Sequence, residues 1–154
     1  MIDFELLGYS ALVGLLLRIF TTKSFGRFCR KTGITDGALR GAVEEIERGL
    51  IDADLGGGVL KKRIARAGGG KSGGFRTLLA FRAGDRTVFI FGFAKSDLDN
   101  ISSSQLSSLK EAAEVYLGLT DDEIDEALRA GALGEIAYAE EENDEEEADG
   151  AERE

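Results

Sequence analysis

Residues 67–76 read AGGGKSGGFR and combine a lysine and a hydroxyl inside a glycine-rich stretch. Such a pair serves nucleotide hydrolysis when it completes the pattern GxxxxGK[ST] between a strand and a helix, because helical N–H groups then face the phosphates. Here Ala65 occupies the position of the first glycine, and the segment 75–81 that follows has the composition of a strand. We therefore interpret the stretch as a long connection between two strands.

Positive charge is concentrated in the segment 56–96, which contains nine basic residues and a single acid, Asp85. The basic residues are Lys61, Lys62, Arg63, Arg66, Lys71, Arg76, Arg82, Arg86 and Lys95. Lys61 and Arg63 are two apart on a predicted strand, so both side chains should emerge on the same face. Because one acid can pair with few of these cations, the segment is typical of a surface that binds nucleic acid or another polyanion. Ordinary solvated charge is the alternative.

The net charge of −10 averages two oppositely charged parts of the chain. Residues 1–110 hold 17 Lys/Arg against 11 Asp/Glu, whereas residues 111–154 hold 2 against 18. The end of the chain, AEEENDEEEADGAERE, has no apolar residue larger than alanine, which predicts an acidic, disordered tail over residues 136–154. We expect this tail to keep the protein soluble, or to fold back over the basic strands and compete with RNA in a salt-dependent way.

The composition excludes several kinds of chemistry. The chain has no histidine, which rules out histidine-based zinc sites and Ser-His-Asp or Cys-His catalysis. Its single cysteine, Cys29, lies close to Phe25 and Phe28 at a spacing near the apolar face of a short helix, so we predict a buried structural thiol.

An apolar run near the start of the chain raises the question of a membrane segment. Residues 11–17 are uninterrupted apolar sequence. A bilayer requires about 20 such residues, and the acidic Asp3 and Glu5 do not suit a secretory signal. We expect a cytoplasmic protein that does not contact membrane.

The elements that would position the basic residues follow in the order β-α-α-β-β-β-α-α. A strand to about Thr22 precedes two helices, over 23–31 and from Thr35, which we predict to form a hairpin. Strands over 59–66, 75–82 and 87–94 form a predicted meander, followed by helices over 103–117 and 120–131. This order predicts an α+β fold in which helices cover one face of a small antiparallel sheet, the N-terminal hairpin packs against that sheet, and further helices follow at the C-terminus.

Two stretches of the chain resemble a known family. GLIDADLGGGVLKKRIARAGGGKSGGFRTLLAF and FIFGFAKSDLDNIS share the strand, the SGG-aromatic-Arg hairpin and the FAKS-x-x-x-NI motif, in this order, with the RelE/HigB-like toxins of bacterial type II toxin–antitoxin systems. The resemblance covers residues 15–135, which we expect to be a RelE-like toxin domain, and leaves residues 1–14 as an N-terminal extension. It implies a toxin that inhibits translation by cutting mRNA on the ribosome. The implied partners are a cognate antitoxin and ribosome-bound mRNA, with operator DNA reached only through the antitoxin complex.

The same resemblance implies four catalytic residues. Lys61 and Arg63 match a basic pair of the family, Arg76 follows the glycine-aromatic step and would clamp a phosphate, and Lys95 ends the last strand. RNA cleavage by attack of a 2′-hydroxyl needs proton transfer and cations around the phosphate. The resemblance implies an endoribonuclease that uses neither metal nor cofactor. The residues expected to contact RNA without catalysing its cleavage are Lys62, Arg66, Lys71 and Phe75.

Two other functions are compatible with the sequence. Several active relatives carry an arginine and then a tyrosine or histidine near the end of the last strand, where this chain has Lys95-Ser96-Asp97-Leu98. A non-catalytic module that binds antitoxin and operator DNA would need no such residue. A toxin of the same fold that targets gyrase is the third possibility.

Overall fold

The computed structural model describes residues 17–65, 74–94 and 101–137. Six strands and four helices lie in this part of the chain. They are β1 (Arg18–Thr22), α1 (Lys23–Thr32), α2 (Asp36–Glu47), β2 (Ala53–Gly56), β3 (Val59–Ile64), β4 (Phe75–Arg82), β5 (Arg86–Ala94), α3 (Ser103–Gly118), α4 (Asp121–Ala130) and β6 (Leu133–Ile136). The predicted α+β class is confirmed.

The strands form one mixed sheet in the order β2-β3-β4-β5-β1-β6. Four neighbouring pairs are antiparallel, but β1 and β5 are parallel. The expectation of an antiparallel sheet was therefore wrong at this pair. The chain crosses over from β1 through α1 and α2 before the meander begins, and a parallel neighbour requires such a crossover.

Helices cover both faces of the sheet, which corrects the expectation that they lie on one. On the face that we call the α1/α2 face, both N-terminal helices contribute to a buried core made of Phe25, Leu39, Val43, Ile46, Leu60, Ile64, Leu79 and Phe89. On the opposite face, called the α3/α4 face, the core contains Phe20, Val59, Ala80, Val88, Ala113 and Ile124. Because the strands are buried from two sides, their direction and register decide which side chains remain accessible.

Local capping sets the helix boundaries close to where the sequence predicts them. The Thr35 hydroxyl accepts a hydrogen bond from the Ala38 N–H at 3.1 Å, and Thr120 forms a complete capping box with Glu123. Helix α1 ends at Gly33, which adopts a left-handed conformation with φ of 82°. These contacts lie within a few residues of each other, which explains why the sequence alone predicts them.

The edge strands β2 and β6 were not predicted. Strand β2 lies in the segment DADLGGG, whose Asp and Gly residues have low strand propensity, and it is held by pairing with β3. Strand β6 pairs with β1 and is tied to it by Arg18, whose Nε and Nη2 donate to the two Glu135 carboxylate oxygens at 2.9 Å each. This bidentate bond raises the pKa of Arg18.

The two predicted terminal segments, the extension and the acidic tail, lie mostly outside the described residues. Residues 1–14 and 138–154, expected as an extension and a tail, are not among them. Ile136, placed at the start of the tail, is instead the last residue of β6, and the carbonyl of Ala137 accepts a bond from Arg40 Nη1 at 3.2 Å. None of the helices within the described ranges is long and apolar enough to cross a membrane.

Cys29 packs at the edge of the α1/α2 core and is half-buried. Burial raises the pKa of its thiol to about 11, with a smaller contribution from the Asp36 carboxylate. Because the reactive thiolate forms only near that pH, we expect iodoacetamide to alkylate the folded protein about 10-fold or more slowly than an unshifted thiol at pH 8. Mass spectrometry should show a rate that rises about 10-fold between pH 9 and 10, whereas the rate for the same chain in urea, where the thiol has its ordinary pKa of 9.0, should rise only about twofold. Equal pH profiles would contradict the burial of this thiol.

Candidate nucleic-acid interface

Strands β3, β4 and β5 carry two neighbouring cross-strand rows on the α3/α4 face. In the first row Arg63 lies opposite Arg76, and Arg76 lies opposite Phe93. In the second row Lys61 lies opposite Leu78, and Leu78 lies opposite Phe91. We call these six residues the sheet patch. Lys61 and Arg63 thus share a face, as strand alternation predicts.

Arg76 combines burial with an unsatisfied donor. Its side chain is partly buried, and its Nη1 has no hydrogen-bond partner among the described residues. A buried N–H without an acceptor is unfavourable by about 1–3 kcal/mol, so native structures rarely retain one without a reason. An anionic oxygen on the sheet patch would satisfy this donor and would form a charge-assisted bond.

The glycine two residues before Arg76 has a steric role. A Cβ at Gly74 would overlap the backbone carbonyl of Ile64. Only glycine therefore lets β4 begin at this distance from β3, in the register that pairs Arg63 with Arg76. This close approach is the physical reason for the glycine-aromatic-arginine step that the sequence shows.

Arg63 is held in place by an acid from the loop before β2. Its Nε donates to Asp52 Oδ2 at 3.1 Å, with both side chains partly exposed. This bond uses the Nε–H at one edge of the guanidinium plane and leaves the Nη groups as donors for another acceptor. Neighbouring strands lie about 4.8 Å apart, so Arg63 and Arg76 can reach one phosphate together.

Lys62 points the other way. The residue is only 3% exposed and lies on the α1/α2 face, where Nζ contacts Glu45 Oε1 at 2.6 Å and donates to the Leu50 carbonyl at 2.7 Å. These bonds argue against the RNA contact expected of Lys62, and we assign it to the packing of α2 on the sheet. Strand alternation would have separated it from Lys61 and Arg63 on the sequence alone.

Phe75 is also placed inside the protein. It is 7% exposed and makes an edge-to-face contact with Phe28, with ring centroids 5.6 Å apart. This placement argues against the RNA-binding role expected of Phe75, because its ring faces a helix rather than solvent. The other predicted residues, Lys95, Arg66 and Lys71, lie outside the described ranges.

A β-bulge decides where the phenylalanines of β5 point. Leu78 pairs with Phe91 while Leu79 pairs with Phe89, so Ile90 is an extra residue on β5. Phe89 consequently lies in the α1/α2 core, whereas Phe91 lies on the opposite face. The period-two spacing of Phe89, Phe91 and Phe93 in the sequence predicts that all three pack on one covered face, but Phe91 is 46% exposed.

One sequence signal could have revealed the bulge. Gly92 stands inside the predicted strand, and a Cβ at this position would meet the Phe28 ring at 2.5 Å. A glycine in a strand often marks a bulge or a close approach of another element. Here it marks both, because α1 lies directly over this part of β5.

A match over most of the chain supports the family assignment. The family model described as the RelE toxin of the RelE / RelB toxin-antitoxin system matches residues 17–136, from the start of β1 to the end of β6. The chain belongs to the RelE toxin family. The resemblance found in the sequence is thereby confirmed, and membership of this RelE family implies an antitoxin partner. A search of curated proteins gives no match.

This RelE-family chain carries a second cationic surface that sequence reasoning missed. Lys23, Arg27, Arg30 and Lys31 are all exposed on α1, and none forms a salt bridge with another described residue. Their spacing of four, three and one residues places them along one side of the helix, which is the signal that could have found them. We call this surface the α1 stripe.

The described part of this RelE-family toxin offers no cluster of three or more acidic, cysteine or histidine side chains that could hold a metal ion. The polar groups on the sheet patch are cations instead. Such groups stabilise negative charge on a phosphate by direct hydrogen bonding.

Proposed function

We propose that this RelE-family toxin is a metal-independent endoribonuclease that inhibits translation by cutting mRNA on the ribosome. The observation that carries the proposal is the buried, unbonded Nη1 of Arg76, which lies opposite Arg63 on the sheet patch. A donor held in this way needs no reorganisation when charge develops on a phosphate, and this preorganisation is the main source of electrostatic catalysis.

The proposed chemistry is an in-line transfer at phosphorus. The 2′-hydroxyl of the substrate gives its proton to water as its oxygen forms a bond to phosphorus, the bond to the 5′ oxygen breaks, and the products are a 2′,3′-cyclic phosphate and a 5′-hydroxyl. Arg76 and Arg63 bind the non-bridging oxygens, where charge grows in the transition state. Lys61, in the neighbouring row, donates a proton to the leaving oxygen, and Lys95 adds positive charge. Orientation of the mRNA by the ribosome supplies a further part of the acceleration.

The partners follow from the same proposal. A cognate antitoxin neutralises the toxin, and the toxin reaches operator DNA only through that complex. The α1 stripe and the sheet patch give it two cationic surfaces that attract RNA through its phosphates. We propose that the protein acts in the cytoplasm, where it meets translating ribosomes.

Primer extension on a reporter mRNA in a translating extract tests the proposal. We expect new 5′ ends at the ribosomal A site when the protein is added, and none when initiation is blocked, because the mRNA must be held by the ribosome. Intact mRNA with normal translation would contradict the nuclease and favour a module that binds only antitoxin and operator DNA. Intact mRNA together with inhibition of gyrase would instead identify a gyrase-targeting toxin.

A further inference from the structure

We propose that Phe91 is a stacking platform for one unpaired nucleobase of the RNA, next to the phosphate that Arg76 and Arg63 hold. This inference rests on the proposed function and deepens it by assigning a base-binding residue. Phe91 is 46% exposed and lies beside the cations of the sheet patch, and an exposed aromatic ring next to cations is the arrangement by which proteins bind single-stranded nucleic acid.

The ring is supported from within the sheet patch. Phe93 and Leu78 are 5% and 2% exposed, and both lie next to Phe91, one along the strand and one across it. The ring centroids of Phe91 and Phe93 are 5.9 Å apart with an angle of 42° between the rings. A platform held by buried neighbours loses little conformational freedom when a base stacks on it, which favours binding.

The distance from Arg76 suits a single nucleotide. Arg76 lies opposite Phe93, so Phe91 is its diagonal neighbour on the adjacent strand. Diagonal neighbours in an antiparallel pair are about 7–8 Å apart. A nucleotide whose phosphate is bound by Arg76 can therefore place its own base, or the adjacent one, on the Phe91 ring.

The bulge at Ile90 places the Phe91 side chain on the α3/α4 face. Without the extra residue, Phe91 would share a face with Phe89 and enter the α1/α2 core. Bulges commonly re-aim a side chain next to a functional site. Because a phenyl ring offers no hydrogen-bonding group, the platform should accept any base of a single strand with little discrimination.

The chain contains no tryptophan, so Phe91→Trp creates a single fluorescent reporter at the platform. We expect short oligoadenylate to quench its emission, and an abasic ribose-phosphate oligomer of equal charge to leave the emission unchanged. Val115→Trp is the matched control, because Val115 is 60% exposed on α3 and lies outside the sheet patch. Absence of an RNA-dependent quench at Phe91→Trp, or an equal quench in the control, would overturn the proposal.

Affinity and cleavage provide the second measurement. Phe91→Leu should weaken binding of oligoadenylate about 5- to 150-fold, the range for losing one base stack, while Phe91→Tyr should retain binding. Binding of the abasic oligomer should be equal in all three proteins, which excludes a folding defect. Equal affinity of Phe91→Leu and the wild type for oligoadenylate would contradict stacking of a base on Phe91.

The two proposals can fail separately. If the wild type leaves ribosomal mRNA intact but stacking is observed, the nuclease proposal fails and the platform stands. If the wild type and Phe91→Leu cut mRNA equally well, the platform fails and the nuclease proposal stands.

Discussion

Arg76→Ala is expected to reduce mRNA cleavage in a translating extract by about 100-fold or more, the size of effect seen when a preorganised donor to a developing oxyanion is removed. The reason is geometric, because Arg76 is the described cation whose Nη1 is buried and has no acceptor in the described structure. The rate at which A-site 5′ ends appear in primer extension measures the effect. Arg76→Lys keeps the charge but loses the planar fork, so it should recover only part of the activity.

The Arg76 substitution has a matched control. Arg129 is an exposed arginine on α4 that contacts Glu126 at 2.7 Å, and Arg129→Ala should cut mRNA at the wild-type rate. The thermal midpoint of Arg76→Ala should stay at or above that of the wild type, since Nη1 donates no hydrogen bond that the substitution could remove. Cleavage that persists in a folded Arg76→Ala protein would exclude the phosphate-clamp role.

Lys62→Ala is expected to lower the free energy of unfolding by about 3 kcal/mol, because it removes a buried ammonium and leaves a cavity. The substitution takes the donor away from both Glu45 and the Leu50 carbonyl, two contacts that connect α2 and the segment after it to β3. Because Glu45 is partly exposed, we expect a loss of stability at the lower end of the range for breaking a buried ion pair. Urea denaturation followed by circular dichroism measures the change.

Lys61 supplies the control for Lys62, because it is the adjacent residue on the same strand and lies on the opposite face. Lys61→Ala should change stability by only about 0.5 kcal/mol, as expected for a surface position, but should impair cleavage. Lys62→Ala should show the reverse pattern when assayed at a temperature where it is folded. Equal stability of the two variants would contradict the buried ion pair.

The features that depend on neighbouring residues could be predicted from the amino-acid sequence alone. Thr35, Gly33 and the Thr120 capping box set helix ends through bonds that span three or four residues. Strand alternation put Lys61 and Arg63 on one face without knowledge of the partner strand. The ordered motifs around Gly74 and Arg76 were likewise sufficient for the family, because they reflect local steric requirements of the β3–β4 pair.

The features that depend on pairing between distant segments became visible only in the three-dimensional structure. The parallel β1–β5 pair and the edge strands β2 and β6 form because a partner strand satisfies their backbone groups, whatever their own propensity. The single extra residue at Ile90 shifts the register and sends Phe91 to the face opposite Phe89. A one-residue shift exchanges the two faces of a strand. Gly92 signals an irregularity in β5, but the exact position of the extra residue depends on the pairing of Leu78 with Phe91 across the strands.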